Sequence, residues 1–344
     1  MNILVTGAGA LLGQGILRSL RLSSNKYRII TADPNPLSSG NWLGDKAFII
    51  PNAKDDNYIV AIEKIITEEK VDIVLVGTDI ELLKFAQFKR DIESKTKVKI
   101  VVASPQVVEI ANDKWLTAEF LQKNDFPYPL SALSSDKKAV LKLRSQNGLS
   151  LIAKPIDGAR SIGFEIINSE ERLNQITSYP NNLVVQEYLG DSDGEYTSGC
   201  VVYGGKCRAI VTLKRDLRDG NTYRTYRAAD TNKYDNIIIA IAEKLGVEGP
   251  CNFQFRIKNG LPVIFEINAR FSGTTPLRCF YGFNEVEAIV EYIVNKKRII
   301  QPALKEGIVM RAYSDIMISN EEIGNFRNNN SLESPQCELY PFKS

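Results

Sequence analysis

Up to about position 112 the chain alternates short apolar runs with longer stretches of helical periodicity. The runs at 3–6, 28–32, 72–76 and 98–103 read as strands, and the stretches at 12–22, 58–69 and 82–92 repeat apolar residues three and four apart. That alternation predicts a parallel sheet with helices on both faces. Much later the period changes to two. Phe253, Phe255 and Ile257, then Val263, Phe265 and Ile267, alternate with polar positions that include Gln254, Glu266 and Asn268. A hairpin with one apolar and one polar face is predicted. A two-residue loop would pair odd positions with even ones and mix the faces. A three-residue loop over Asn259, Gly260 and Leu261 pairs Gln254 with Glu266 and keeps the faces separate. This register gathers Gln254, Glu266 and Asn268, with Arg270 just beyond. Three oxygen-bearing side chains suit a hard cation such as Mg²⁺, which leaves coordination positions for phosphate oxygens.

Between these two regions the pattern is mixed. Asp113 can cap a helix whose apolar side carries Trp115, Leu116, Phe120 and Leu121. Pro127 and Pro129 then force an extended segment. A strand at 150–155 ends in Lys154-Pro155, and the Gly/Ser-rich loop 157–163, with Arg160 and Ser161, precedes a strand at 164–167. Exposed amides in such a loop can wrap a phosphate. A strand at 183–185 leads into Gln186-Glu187-Tyr188-Leu189 and then Glu195. Strands at 198–203 and 207–213 follow, then a basic stretch, 214–227, holding Lys214, Arg215 and Arg218, which reads as a loop. A helix at 236–245 precedes the hairpin. Beyond Arg270 come Ser272 and Thr274 in a loop, a helix at 284–295, one strand at 308–319 and a polar loop at 325–331.

The turn Gly7-Ala8-Gly9-Ala10-Leu11-Leu12-Gly13-Gln14-Gly15 follows the first strand, and Asp33 ends the second. A dinucleotide-binding turn is one reading. The glycine spacing has one residue too many for that pattern, and a tight turn that needs glycine for packing is the other. Thr78, Asp79 and Glu81 follow the strand at 72–76, at its carboxyl end, where open α/β sheets bind ligands; they are candidate substrate contacts, with helix capping as the plain alternative.

Composition narrows the chemistry. The 344 residues are 44% apolar and 24% charged with net charge +2, a soluble globular balance that gives no reason to expect nucleic acid or a membrane as partner. The amino terminus shows no signal-peptide pattern. Five cysteines at wide spacing, without a Cys-x-x-Cys pair, fit reduced thiols in the cytoplasm. The chain has no histidine, which excludes serine–histidine or cysteine–histidine catalysis, histidine-ligated zinc and imidazole acid/base work.

Gln254, Glu266-Ile267-Asn268 and Arg270 closely resemble the metal- and phosphate-binding hairpin of the ATP-grasp superfamily. The nearest likeness is to one synthetase module of the carbamoyl-phosphate synthase large subunit and to related small carboxylate–amine ligases. The resemblance implies a Rossmann-like (pre-ATP-grasp) domain at 1–112, an α/β and α+β architecture with ATP-grasp lobes at 113–188 and 189–300, and a C-terminal extension at 301–344. It implies an ATP-dependent ligase that forms an amide through an acyl phosphate, releasing ADP and phosphate. Gln254, Glu266 and Asn268 would hold one or two Mg²⁺, with Mn²⁺ as a substitute. Lys114, Lys154, Arg160, Ser161, Gln186, Glu187, Tyr188, Leu189 and Glu195 would bind ATP, and Arg270 and Lys154 would act on the transferring phosphoryl group. Thr78, Asp79, Glu81, Lys214, Arg215, Arg218, Ser272 and Thr274 would face the substrates, a small carboxylate (an amino acid or sugar acid) and an amine or ammonia. A homodimer is compatible. Segments 157–163 and 214–227 would be mobile and close over ATP. An NAD(P)-dependent oxidoreductase or epimerase using the first glycine turn, and an ATP-binding protein without turnover, are the alternatives.

Overall fold

The computed structural model describes residues 1–158, 162–178, 182–190 and 194–340. The opening alternation builds β1 (Asn2–Thr6), α1 (Leu11–Arg21), β2 (Arg28–Asp33), β3 (Lys46–Ile49), α2 (Tyr58–Glu68), β4 (Ile73–Val76), α3 (Asp79–Thr96), β5 (Lys99–Val101) and α4 (Pro105–Asn112). The five strands are parallel in the order β3-β2-β1-β4-β5. Both faces of this first sheet are covered. Leu4, Ile30 and Val74 pack on one side with α2 and α3, while Ile3, Val5, Ile29 and Leu75 pack on the other with α1. Burial on both faces is why these strands read as unbroken apolar runs.

A second, four-stranded sheet follows α5 (Lys114–Lys123). It contains β6 (Ser131–Leu133), β7 (Leu151–Pro155), β8 (Glu165–Ile167) and β9 (Leu183–Glu187) in the order β6-β9-β7-β8, backed by α6 (Lys137–Asn147) and α7 (Glu170–Ser178). It has its own small core, including Val140, Leu143, Leu151, Leu173 and Val185. The third sheet is antiparallel: β10 (Glu195–Tyr203), β11 (Lys206–Arg218), β12 (Asn221–Arg227), β13 (Gly249–Lys258), β14 (Leu261–Asn268) and β15 (Gly307–Met310), in the order β14-β13-β10-β11-β12-β15. α8 (Asp235–Leu245), α9 (Thr275–Arg278) and α10 (Glu285–Asn295) complete it. Phe253, Phe255 and Ile267 of the hairpin join the same core as α2, α3 and α8, so the third sheet packs firmly against the first unit.

Two expectations are corrected here. The basic stretch 214–227 is not a loop. β11 and β12 pair through Lys214↔Tyr226 to Arg218↔Asn221, turning at Asp219-Gly220, both left-handed at φ 51° and 72°. An Asp-Gly pair in that conformation makes a tight hairpin turn whose twist matches the strands. The tail also holds more structure than one strand and a loop. β16 (Asp315–Met317) pairs with β18 (Glu338–Tyr340), α11 (Asn320–Asn329) occupies the polar stretch, and β17 (Ser331–Glu333) pairs with β3 on the edge of the first sheet. α11 is held there by Phe326, whose ring meets Trp42 edge-on at 5.7 Å. Its Ser319 cap accepts a hydrogen bond from the amide of Glu322.

Candidate active site

The hairpin pairs Gln254 with Glu266, but by a different route from the one the alternation suggested. Asn259 (φ 53°) and Gly260 (φ 78°) form a two-residue turn, with Lys258 opposite Leu261. That register would set odd against even. A bulge restores it: Phe255 faces Ile264, Gln254 faces Glu266, and Phe265 is left without a partner. Phe265 therefore does not join the buried apolar face; it lies half-buried beside Glu266 at the cleft, while Ile264 and Ile267 go into the core. The bulged carbonyl of Phe265 accepts a hydrogen bond from Lys154 Nζ at 3.2 Å, and Lys154 stands 5.5 Å from the Phe265 ring centre.

Two chambers meet at this hairpin. The larger, about 250 Å³, lies between the second and third sheets and is lined by Lys114, Lys154, the segment Gln186 to Leu189, Glu195, Arg215, Arg256 and Glu266. The smaller, about 120 Å³, lies between the third sheet and the carboxyl ends of β1 and β4, with Thr78, Asp79, Arg270, Ser272, Thr274 and the start of α1 in its wall. Gln254, Glu266, Arg215 and Gly220 line both.

The polar groups of the shared wall are tied to one another. Glu266 Oε1 accepts from Gln254 Nε2 at 3.1 Å and from Asn268 Nδ2 at 2.9 Å. The two amide oxygens accept from arginines: Gln254 Oε1 from Arg215 at 2.6 Å and Asn268 Oδ1 from Arg270 at 2.7 Å. Arg215 also binds Glu195, and Arg256 donates to the other Glu195 oxygen at 3.2 Å. Arg270 makes a two-pronged pair with Asp79, Nε to Oδ1 at 2.6 Å and Nη2 to Oδ2 at 3.2 Å, so the loop after β4 and the end of the hairpin are clamped together. Lys114 Nζ donates to the Gly158 carbonyl at 3.0 Å. Lys154 is buried, and desolvation pulls its ammonium down to about 8, with Lys114 adding to the shift and Glu266 opposing it.

The sequence-predicted residues divide as follows. Lys114, Lys154, Gln186, Glu187, Tyr188, Leu189 and Glu195 line the larger chamber, and Thr78, Asp79, Arg270, Ser272 and Thr274 line the smaller. Asn268 adjoins both through Glu266. Arg160 and Ser161 lie outside the described residues. Three of the suggested substrate contacts face neither chamber. Glu81 is buried beneath the Gly7 turn, accepting from Thr6 Oγ1 and Tyr58 Oη at 2.7 Å each. Burial pushes its carboxyl up to about 7, against the pull of those two donors. Arg218 lies over the Tyr223 ring at 3.9 Å. Lys214 lies along β11 with its chain against Gly194. Two arginines were missed. Arg256 lies two residues from Gln254 on the same strand and shares its cleft-facing side, a placement the period-two pattern already carried. Arg278 is fully buried, donating to Glu285, Asn252 and Thr274 beneath the smaller chamber. Nothing in its sequence surroundings marked it.

The first glycine turn is filled by the protein itself. The Gly9 amide donates to Asp33 Oδ2 at 2.9 Å and Ser38 Oγ to Asp33 Oδ1 at 2.7 Å. Gly40 packs on the Ala8 carbonyl, and Gly13 on that of Gly7, so closely that a Cβ at either would collide with backbone. Asp33, the carboxylate a dinucleotide ribose would need, is thus engaged inside the turn.

Residues 3–101 match the family model described as PylC-like, N-terminal domain, and residues 179–316 match the one described as ATP-grasp in the biosynthetic pathway with Ter operon. Residues 179–316 thus match an ATP-grasp family, and the chain has the ATP-grasp fold behind a Rossmann-like amino-terminal unit. It is similar to the carbamoyl phosphate synthase large chain of Thermoanaerobacter pseudethanolicus, 24% identical over 330 residues that make up 86% of this chain and 29% of the relative. The chain thus spans under a third of that relative's length. In fold it resembles the biotin carboxylase of Campylobacter jejuni solved with β,γ-ATP (TM-score 0.70, 16% identity, 90% of this chain and 75% of that one). It also resembles the N5-carboxyaminoimidazole synthetase of Staphylococcus aureus solved with ADP (TM-score 0.69, 14% identity, 95% and 84%). No helix among the described residues is long and apolar enough to cross a membrane.

Proposed function

We propose that this chain is an ATP-dependent carboxylate–amine ligase, with ATP in the larger chamber and the acceptor carboxylate in the smaller. The observation that carries this reading is the shared wall: one edge of the β13–β14 hairpin, with Gln254 and Glu266, faces both chambers at once. A phosphoryl group bound on one side is then presented to an acceptor on the other. The backbone after β9, from Gln186 to Leu189, would meet the adenine, and Glu195 the ribose. Lys114 and Lys154 would take the phosphates, with Arg160 and Ser161 as further phosphate ligands. Glu266, Gln254 and Asn268 offer the hard oxygen donors that one or two Mg²⁺, or Mn²⁺ in its place, require. The bound cation would neutralise charge on the phosphate oxygens.

The substrate carboxylate oxygen attacks the γ-phosphorus and the bond to the β-phosphate oxygen breaks, giving an acyl phosphate and ADP. The amine nitrogen then attacks the acyl carbon, phosphate leaves, and the nitrogen loses a proton. Such transfer needs alignment and charge neutralisation more than an acid or base, which a chain without histidine can supply. Arg270, oriented by Asp79, would steady the transferring group. The smaller chamber is walled by hydroxyls and amides as well as by this ion pair, which suits a small polar acid such as an amino acid or sugar acid. Five unpaired cysteines suit a reducing, cytoplasmic setting. ADP release across a panel of acids, with ammonia and primary amines, tests the reaction. Absence of ATP binding by calorimetry at millimolar Mg²⁺ would overturn it.

A further inference from the structure

A third cavity, of about 550 Å³, opens on the far side of the first sheet, between the ends of α2, α3 and α10. Asp72 and Lys99, in its wall, stand at the amino ends of β4 and β5, whereas the smaller chamber touches the carboxyl ends. Four residues of β4 separate the two, roughly 13 Å at strand rise. Five lysines line the cavity, Lys70, Lys95, Lys97, Lys99 and Lys296, against the single carboxylate of Asp72. Val71 and Ile293 contribute an apolar floor.

Three of these lysines have a left-handed backbone: Lys70 (φ 49°), Lys97 (φ 63°) and Lys296 (φ 57°). Lys97 and Lys296 are the residues that close α3 and α10, and Lys70 lies just past α2. Glycine suits that position best, because a Cβ there strains the backbone. A cation near a helix carboxyl end complements the helix dipole, and Lys296 Nζ does donate to the Ile293 carbonyl at 2.8 Å. The dipole accounts for a cation somewhere in the last turn. It does not account for lysine in place of glycine at three converging helix ends. Lys95 is paired with Asp91 and Glu63. Among the described residues Lys70, Lys97 and Lys99 have no acidic partner, so the cavity's field is positive and open.

We propose that this cavity binds a small phosphate-bearing anion, of the diphosphate class, at a site separate from the nucleotide cleft. The ligand would bridge the first unit, through Lys70, Lys97 and Lys99, to the third, through Lys296 on α10. Because α10 also packs against α1, whose opposite end walls the smaller chamber, the bridge would stiffen the mounting of the proposed acceptor site.

The test is a calorimetric titration of inorganic pyrophosphate into the full chain, with saturating ADP and excess Mg²⁺ to occupy the cleft. The wild type should bind pyrophosphate with an affinity that falls steeply as salt rises. The variant Lys70→Gly/Lys97→Gly/Lys296→Gly should bind about tenfold more weakly or worse, since charge-assisted contacts are lost. Its melting temperature should be unchanged or higher, because glycine relieves the left-handed strain. Lys99→Gln, on a strand outside the strained positions, should weaken binding in the same direction and carries the test if the triple variant misfolds. No pyrophosphate binding to the wild type, or equal affinity in these variants, would overturn the proposal.

Discussion

Glu81 offers a direct measurement of how the first unit holds its loops. Its carboxyl is buried under the Gly7 turn, fixed by Thr6 and Tyr58, and pushed by desolvation from an ordinary 4.5 to about 7. The folded state therefore holds this proton more tightly than the unfolded chain does. The stability it contributes is fully present below pH 4.5 and is lost as pH rises through 7. Between pH 5 and 8 that loss integrates to about 2.5 kcal/mol. Glu81→Gln keeps the shape and removes the titration. The assay is urea unfolding of the first unit, followed by Trp42 fluorescence in a Trp115→Phe background at several pH values. The wild type should lose about 2.5 kcal/mol relative to Glu81→Gln across that range. A difference that stays flat within about half a kcal/mol would refute the argument, and would mean that the carboxyl is ionised and solvated in the folded protein.

Four further outcomes are expected. Glu266→Gln should reduce ADP release by at least about a hundredfold while leaving the circular dichroism spectrum unchanged, because Glu266 is the one carboxylate of the proposed cation shell. ATP binding near pH 8 should take up a fraction of a proton, because phosphate restores the charge that burial has pulled down to about 8 on Lys154; calorimetry in buffers of different ionisation heat should show this uptake vanish in Lys154→Met. Gly40→Ala should destabilise the first unit by a few kcal/mol, more than Gly9→Ala, since its Cβ meets the Ala8 backbone carbonyl whereas that of Gly9 meets the side chain of Ser38; neither the parent nor the variants should bind NAD at micromolar concentration. The ladder amides of β11 and β12 should exchange slowly without nucleotide, contrary to a mobile loop at 214–227, and fast exchange there would show that the hairpin opens.

The parallel sheet was legible because strands buried on both faces carry their signal locally, and helix and strand periods differ there. β3 was not, since Lys46-Ala47-Phe48-Ile49 is only four residues long and mostly half-buried, and it holds its place by pairing with β2 and β17. At the β13–β14 hairpin the sequence named the right strand partners for an incomplete reason. Alternation requires that Gln254 face Glu266, but it does not reveal whether a longer loop or a bulge achieves it. The bulge matters chemically, because it frees the Phe265 carbonyl for Lys154. The stretch 214–227 looked like a loop because charge dominated the eye, although Asp219-Gly220 between alternating residues is a hairpin signal. Glu81 was misplaced for a different reason. A carboxylate at the start of a helix normally faces solvent, and only the approach of Tyr58 from α2, distant in sequence, decides that this one is buried.

The ligand-free polar network also has consequences for the order of events under the proposed roles. Glu195 is neutralised by Arg215 and Arg256, while Gln254 and Asn268 hand their oxygens to Arg215 and Arg270. A cation at those amide oxygens would have to share them with the two arginines or displace them. A ribose that hydrogen-bonds Glu195 competes directly with Arg215, and the released guanidinium is then within reach of both chambers, because it lines both. Arg270 is held differently, by Asp79 from the first unit, so its release or retention depends on what occupies the smaller chamber. Nucleotide binding thus acts on one arginine and acceptor binding on the other. With both sides filled, the competition of the two arginines for the shared-wall oxygens would be weakest, which would favour Mg²⁺ there. Under the proposed roles such an arrangement would couple phosphoryl transfer to the presence of an acceptor, and it would discourage loss of the γ-phosphate to water when the smaller chamber is empty.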